Sequence, residues 1–135
     1  MKTKPNPVLF SILSAALLIL VNCNKEEEQP TEIILPTVIT LPATEVTSSS
    51  AESGGEITIE GNDNITSRGI VWDTNPDPTI ENNNGQTSDG SGSGLFRSDL
   101  SDLQPNTEYY LRAYATNSGG TAYGDQESFI TSPDT

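Results

Sequence analysis

The chain has 135 residues but no histidine, one cysteine, one methionine, one tryptophan and only six lysines and arginines. Each shortage removes a class of function. Without histidine there is no histidine-based triad, and the common zinc-ligand sets are out of reach. One cysteine, Cys23, makes no intrachain disulfide. Its neighbours Asn22, Asn24, Lys25 and Glu26 are polar, which argues against a packing role. An incidental free thiol and a covalently modified residue are the readings left. Six basic residues face 19 acids, a formal charge of -13. Nucleic acid binding requires a basic footprint, so it is rejected. No G-x-x-x-x-G-K phosphate loop occurs. Carboxylates are so abundant that their spacing carries no catalytic information.

No apolar run is long enough to span a bilayer as a helix. The longest, Val8 to Val21, is broken only by Ser11 and Ser14 and covers about 14 residues, where a span needs roughly 20. It follows the basic residues Lys2 and Lys4, which makes it a secretory signal peptide. Leu20-Val21-Asn22-Cys23 resembles the lipobox of bacterial lipoproteins. That resemblance implies a diacylglyceryl group on Cys23 and cleavage just before it. Asn22 departs from the Gly, Ala or Ser usual at that place. Lys25-Glu26-Glu27 resembles the export signal that sends some Gram-negative lipoproteins to the outer face of the outer membrane. The plain alternative is a solvated charge run. Cleavage would remove Lys2 and Lys4 and no acids, leaving Lys25, Arg68, Arg97 and Arg112 and a net charge of -15.

The expected organisation is a signal peptide at 1–22, a lipidated cysteine with an acidic flexible tether at 23–36, one domain at 37–131 and a tail at 132–135. Helical periodicity is missing from that domain. Alternation takes its place. Ala51, Ser53, Gly55, Ile57 and Ile59 are expected on a buried face, and Glu52, Gly54, Glu56, Thr58 and Glu60 in water. A turn follows at 61–64. Strands are expected at 66–73, with Ile70 and Trp72 on one face, at 94–100, with Phe96 and Leu100 together, at 107–117 and at 121–131. Residues 73–94, rich in Pro, Asn, Gly, Ser and Asp, read as loop with at most a weak edge strand. In 107–117, Tyr109, Leu111, Ala113 and Ala115 share the inner parity, while Tyr110, Arg112, Tyr114 and Thr116 face out. A turn at 117–120 sets Tyr114 opposite Tyr123 and Arg112 opposite Asp125. The same register turns Phe129 outward, and a bulge near Gly124 restores it. About seven short strands at this spacing give an all-β sandwich.

Leu103-Gln104-Pro105-Asn106-Thr107-Glu108-Tyr109, continuing through Leu111, Ala113 and Ala115, resembles the fibronectin type III pattern. The resemblance covers roughly residues 37–131 and is similar to the version found in bacterial envelope lipoproteins. It implies an immunoglobulin-like sandwich in which Tyr109 is the tyrosine corner, its hydroxyl bonded to the chain a few residues upstream. The tryptophan usual in the second strand is missing. Ile57 or Ile59 stands there, and Trp72 supplies aromatic bulk. Arg68-Gly69 continues to Ile70, so integrin binding is not implied.

Asp73-Thr74-Asn75-Pro76-Asp77 begins like a calcium loop, but Pro78 stands where glycine is required and Asn84 where the bidentate glutamate belongs. No metal, no cofactor and no catalytic residue is expected. The outward tyrosines Tyr110, Tyr114 and Tyr123 are either ordinary cross-strand pairs or an aromatic platform for a protein or a neutral glycan. The expected protein is a non-enzymatic lipoprotein held to the outer membrane, surface-exposed, displaying one module for adhesion or contact. A glycan-binding accessory subunit of an uptake system, and a passive spacer or remnant of a larger protein, are the alternatives. The Cys23→Ser variant is expected to leave the membrane fraction with its leader uncut, because stable anchoring takes two or more acyl chains at about 0.8 kcal/mol per buried methylene. Fractionation and the mass of the protein check this. An equally membrane-bound, cleaved variant would remove the anchor.

Overall fold

A computed structural model describes residues 32–134. Cys23, Lys25, Glu26, Glu27 and the leader lie outside the described residues. Within them are eight strands: β1 Thr37–Thr44, β2 Ala51–Ile59, β3 Ser67–Asp73, β4 Gly85–Gln86, β5 Gly94–Leu100, β6 Glu108–Asn117, β7 Gly120–Tyr123 and β8 Glu127–Ile130. They form two antiparallel sheets, β1-β2-β5 and β4-β3-β6-β7, with β8 pairing the first half of β6. The alternation expected for an all-β sandwich is therefore realised as two packed layers. The strand expected at 121–131 is two strands, β7 and β8.

The core lies between the sheets. Ala51 and Ile57 of β2, Ile70 and Trp72 of β3, Phe96 and Leu100 of β5, and Tyr109, Leu111, Ala113 and Ala115 of β6 all belong to it. Period two accounts for this set, because successive side chains of a strand point to opposite faces. Two expectations about β2 fail. Ile59 is 56% exposed. Thr37 pairs with Ile59 but Val38 pairs with Ile57, so Thr58 is an extra residue that turns Ile59 out of the core. Gly54, expected in water, is buried, because the β5 backbone at Phe96 and Arg97 closes on it.

The bulge in the last hairpin is present. Tyr114 pairs with Tyr123, whereas Leu111 pairs with Glu127, one residue more than a continuous register allows. Phe129 thereby comes opposite Tyr109, and the two rings stack with centroids 5.8 Å apart. At the bulge Gly124 N–H donates to Ala113 O at 2.9 Å. Ala113 N–H turns to the other sheet and donates to the Thr40 hydroxyl of β1 at 3.0 Å. Gly124 makes room for that hydroxyl. A Cβ there would collide with Thr40 Oγ1 and lie 2.7 Å from Thr40 N.

The connection before β6 is tied in the same way. Gln104 N–H donates to the Tyr109 hydroxyl at 2.8 Å, five residues upstream. Thr131 is 2% exposed. Its hydroxyl donates to Gln104 O at 2.6 Å and accepts from Thr107 N–H at 2.9 Å. Ser132 N–H reaches Thr47 O, so the ordered network runs past β8. Before β1, Ile34 O accepts from Asn62 N–H and from the Asn117 side chain at 3.0 Å. The free side of β3 is covered by an irregular segment. Asn84, Thr87 and Asp89 donate their N–H groups to Trp72 O, Ile70 O and Arg68 O in turn.

Replacing Thr40 by valine keeps the shape and removes the acceptor. Ala113 is fully buried, and an orphaned buried N–H costs about 1–3 kcal/mol. Thr40→Val is expected to lower the unfolding free energy by that amount in urea, and Thr40→Ser to recover most of it. A Thr40→Val protein as stable as the parent would mean that Ala113 N–H finds another acceptor.

Candidate functional site

The outer face of the β4-β3-β6-β7 sheet carries the three outward tyrosines, but it is not an open platform. Tyr114 is 2% exposed and the outward-facing Val71 is fully buried. Neither belongs to the core between the sheets. They are covered from outside by residues 74–87, which fold back over the sheet. Tyr114 donates its hydroxyl hydrogen to Thr87 O at 2.7 Å and accepts from the Gln86 amide at 3.3 Å. Gly69 lies beside its ring: a Cβ there would be 2.9 Å from Tyr114 Cε1. The expectation that Tyr114 offers ligand-contact surface is corrected by this cover. Outward parity is right; exposure does not follow from it.

Tyr123 and Arg112 hold the cover down. Arg112 donates from Nε and Nη2 to Pro78 O at 3.0 and 2.8 Å. Its guanidinium sits 4.3 Å from the centre of the Tyr123 ring, close enough for a cation–π contribution. The Tyr123 hydroxyl accepts from Ile80 N–H at 2.9 Å. The Gln126 side chain accepts from Asp77 N–H, and the Asn83 amide donates to Thr79 O at 2.9 Å. Pro78 is buried as a result. The expected pairing of Arg112 with Asp125 does not form, because β7 ends at Tyr123 and the bulge carries Asp125 out to solvent.

What remains accessible is narrower. Tyr110 is half-buried, one row along the same face from Arg112, with its hydroxyl 3.4 Å from Glu108. The clamped loop presents Asp77, Glu81, Asn82 and Asn84 to water. The loop is held by a Thr79–Asn82 bridge and by Thr74 N–H donating to Asn84 Oδ1 at 2.9 Å. Tyr109, the neighbour of Tyr110 in sequence but on the other face, is buried in the core. No local pattern marks Pro78, Ile80 or Gln126 as parts of this arrangement. One sign was available: Val71, Tyr114 and Tyr123 are three large side chains of outward parity, and such an apolar strip needs a cover.

The charges around the site are acidic. Arg97 pairs with Glu52. Arg68 is held by three backbone carbonyls, those of Asp89, Gly92 and Ser93, at 3.0 to 3.1 Å. At the opposite end of the sandwich the Ser118 hydroxyl, and then Asn64 N–H, hold the Asp63 carboxyl below the ordinary range. Near the β1–β2 turn a shallow depression of about 370 Å³ is lined in part by Glu45, Glu52 and Asp99. Among the described residues no group of three or more Cys, His, Asp or Glu side chains is arranged to hold a metal ion.

No family model matches the chain, and no curated protein matches it. Solved structures do. The chain is similar to the sensor domain of the anti-sigma factor RsgI4 of Pseudobacteroides cellulosolvens, at 18% identity and a TM-score of 0.52, over 73% of this chain and 96% of that one. It is similar to the third fibronectin III domain of human KIAA0343 protein, at 18% identity and 0.52, over 83% and 95%. Domains A168–A170 of titin match at 17% and 0.52, over 73% of this chain and 32% of that one. At such identities the likeness is one of fold: a fibronectin type III-like β-sandwich.

If Arg112 and Tyr123 fix the loop, their removal must free it. Tyr123→Phe is expected to speed amide exchange at Ile80 while leaving β6 protected. Arg112→Ala removes two charge-assisted bonds, worth about 1.5–3 kcal/mol each, and is expected to open 74–84 to proteolysis. Unchanged exchange and cleavage in both variants would show that the loop holds itself.

Proposed function

We propose that the chain is a membrane-anchored envelope lipoprotein that displays one non-catalytic fibronectin type III-like module for protein or glycan contact. The clamped loop over the β4-β3-β6-β7 sheet is the observation that carries the contact role. Loops with few internal bonds lose conformational entropy when a partner orders them. Residues 74–84 are already fixed by Arg112, Tyr123, Gln126 and Asn83. Binding at this place therefore meets a preorganised surface. Its chemistry is amide and aromatic: Asn82 and Asn84 stand on the loop among the acids Asp77 and Glu81, and Tyr110 is half-exposed on the sheet that the loop covers. Amides and a ring suit the hydroxyls and apolar faces of sugars, or a polar protein surface. A chain with net charge -15 after cleavage repels anionic glycans and phosphates. The expected ligand is a neutral polysaccharide or another protein.

The anchor is supported by the leader and by Cys23 at its end, followed by Lys25-Glu26-Glu27. The resemblance of those residues to an export signal supports a position on the outer face of the outer membrane.

A glycan array and a pull-down against cell-surface extract, run on the parent and on Tyr110→Ala and Asn82→Ala, test the contact role. Binding by the parent to neutral glycans or to a protein, reduced about tenfold or more by either change, is expected of a contact residue worth about 1.4 kcal/mol. Circular dichroism checks that the variants are folded. Binding that survives both changes moves the contact elsewhere. A parent that binds nothing favours the passive spacer.

A further inference from the structure

The exposed large aliphatic side chains of the domain are not scattered. Seven are exposed, and six of them, Ile33, Ile34, Leu35, Ile39, Ile59 and Leu95, lie towards one end. Sheet register places them. Ile59 stands opposite Thr37, and the next outward row is Ile39, Glu56 and Leu95 across β1, β2 and β5. Ile33 to Leu35 continue β1 backwards past the same end, where Ile34 is bonded to Asn62 and Asn117. The seventh, Ile130, sits opposite Glu108 at the other end of the sandwich. Single exposed aliphatics are ordinary; a group of six at one place marks an interaction surface.

We propose that this apolar end rests on the lipid surface to which the chain is anchored. The inference depends on the lipid-anchor reading above. Its occupant follows from where the chain goes. Ile33 is ten residues from Cys23 in sequence. Ten residues reach at most about 35 Å when extended, and on the order of 17 Å as a flexible coil. An anchor on Cys23 therefore keeps this end, rather than the loop at 74–84, supplied with lipid at high local concentration. The bulge that turns Ile59 outward serves the same surface. A second copy of the chain is a poorer occupant. Pairing this face with itself brings Glu56 near its counterpart, and the nearest base on the face, Arg97, is already engaged by Glu52. The acids Glu56, Glu60 and Asp63 at this end make zwitterionic lipid the expected surface and anionic lipid a poor one.

The test uses the processed, full chain in phosphatidylcholine vesicles, with one cysteine introduced for an environment-sensitive fluorophore. A lipidated Cys23 offers no thiol, so only the new site is labelled. Ile59→Cys reports the apolar end and Ile130→Cys the opposite end, from parent side chains of similar exposure. The expected result is a blue-shifted emission and several-fold weaker iodide quenching at position 59 than at 130. Replacing part of the phosphatidylcholine with anionic lipid is expected to reduce the difference. Equal quenching at both positions, in a chain that pellets with the vesicles, overturns the lipid contact and leaves the anchor standing. Protection at 59 that disappears when the protein is diluted across more vesicles assigns the face to a second copy and overturns it as well. A parent chain that takes the label at Cys23 and stays soluble overturns both the anchor and this inference.

Discussion

The bond from Ala113 N–H to the Thr40 hydroxyl organises much of the fold. A buried amide must find an acceptor, and at the bulge its own sheet cannot supply one. Taking it from β1 joins the two sheets through a hydrogen bond inside the interior. The geometry constrains three elements at once. β1 must bring Thr40 inward, Gly124 must lack a side chain, and β8 must restart one residue out of step. That shift is what returns Phe129 to Tyr109. Without it the last strand would present its aromatic residue to water.

A second layer of organisation sits outside the sandwich. The sheet of β3 and β6 has an apolar strip on both faces, so it requires cover on both. The first cover is the other sheet. The second is a loop of residues with little β or helical propensity, fastened by one arginine and the tyrosines Tyr114 and Tyr123. Cation and ring here act on the protein itself. Aromatic residues on an outward face are often read as waiting for a ligand, and in this chain two of three are satisfied internally.

The sandwich, the positions of most strands and nearly all of the core residues were legible because period-two alternation is a local signal. Residues 51–57 and 109–115 alternate cleanly, and the glycines and asparagines between runs mark the turns. Even the bulge near Gly124 could be inferred, since Phe129 had to face inward. Three of the features that were not legible share a reason. The outward turn of Ile59 depends on how β1 pairs with β2. Burial of Tyr114 depends on a loop more than twenty residues distant in sequence. Release of Arg112 from Asp125 depends on where the hairpin breaks. Each is decided by a partner strand or a distant segment, and no window of neighbouring residues contains that information. Cys23, Lys25, Glu26 and Glu27 rest on sequence alone.

The irregular cover of β3 bears on crowding. A sheet that ends in a long straight strand offers its free amides and carbonyls to any passing chain, and identical molecules held side by side on one surface are the most exposed to that hazard. Here the free side of β3 meets only the two regular residues of β4, after which Thr87 and Asp89 use up the remaining carbonyls from a glycine-rich segment. Positive φ at Gly90 and Gly92 keeps that segment from running on as a regular strand. On this side, dense packing of many copies would not convert neighbours into a continuous sheet.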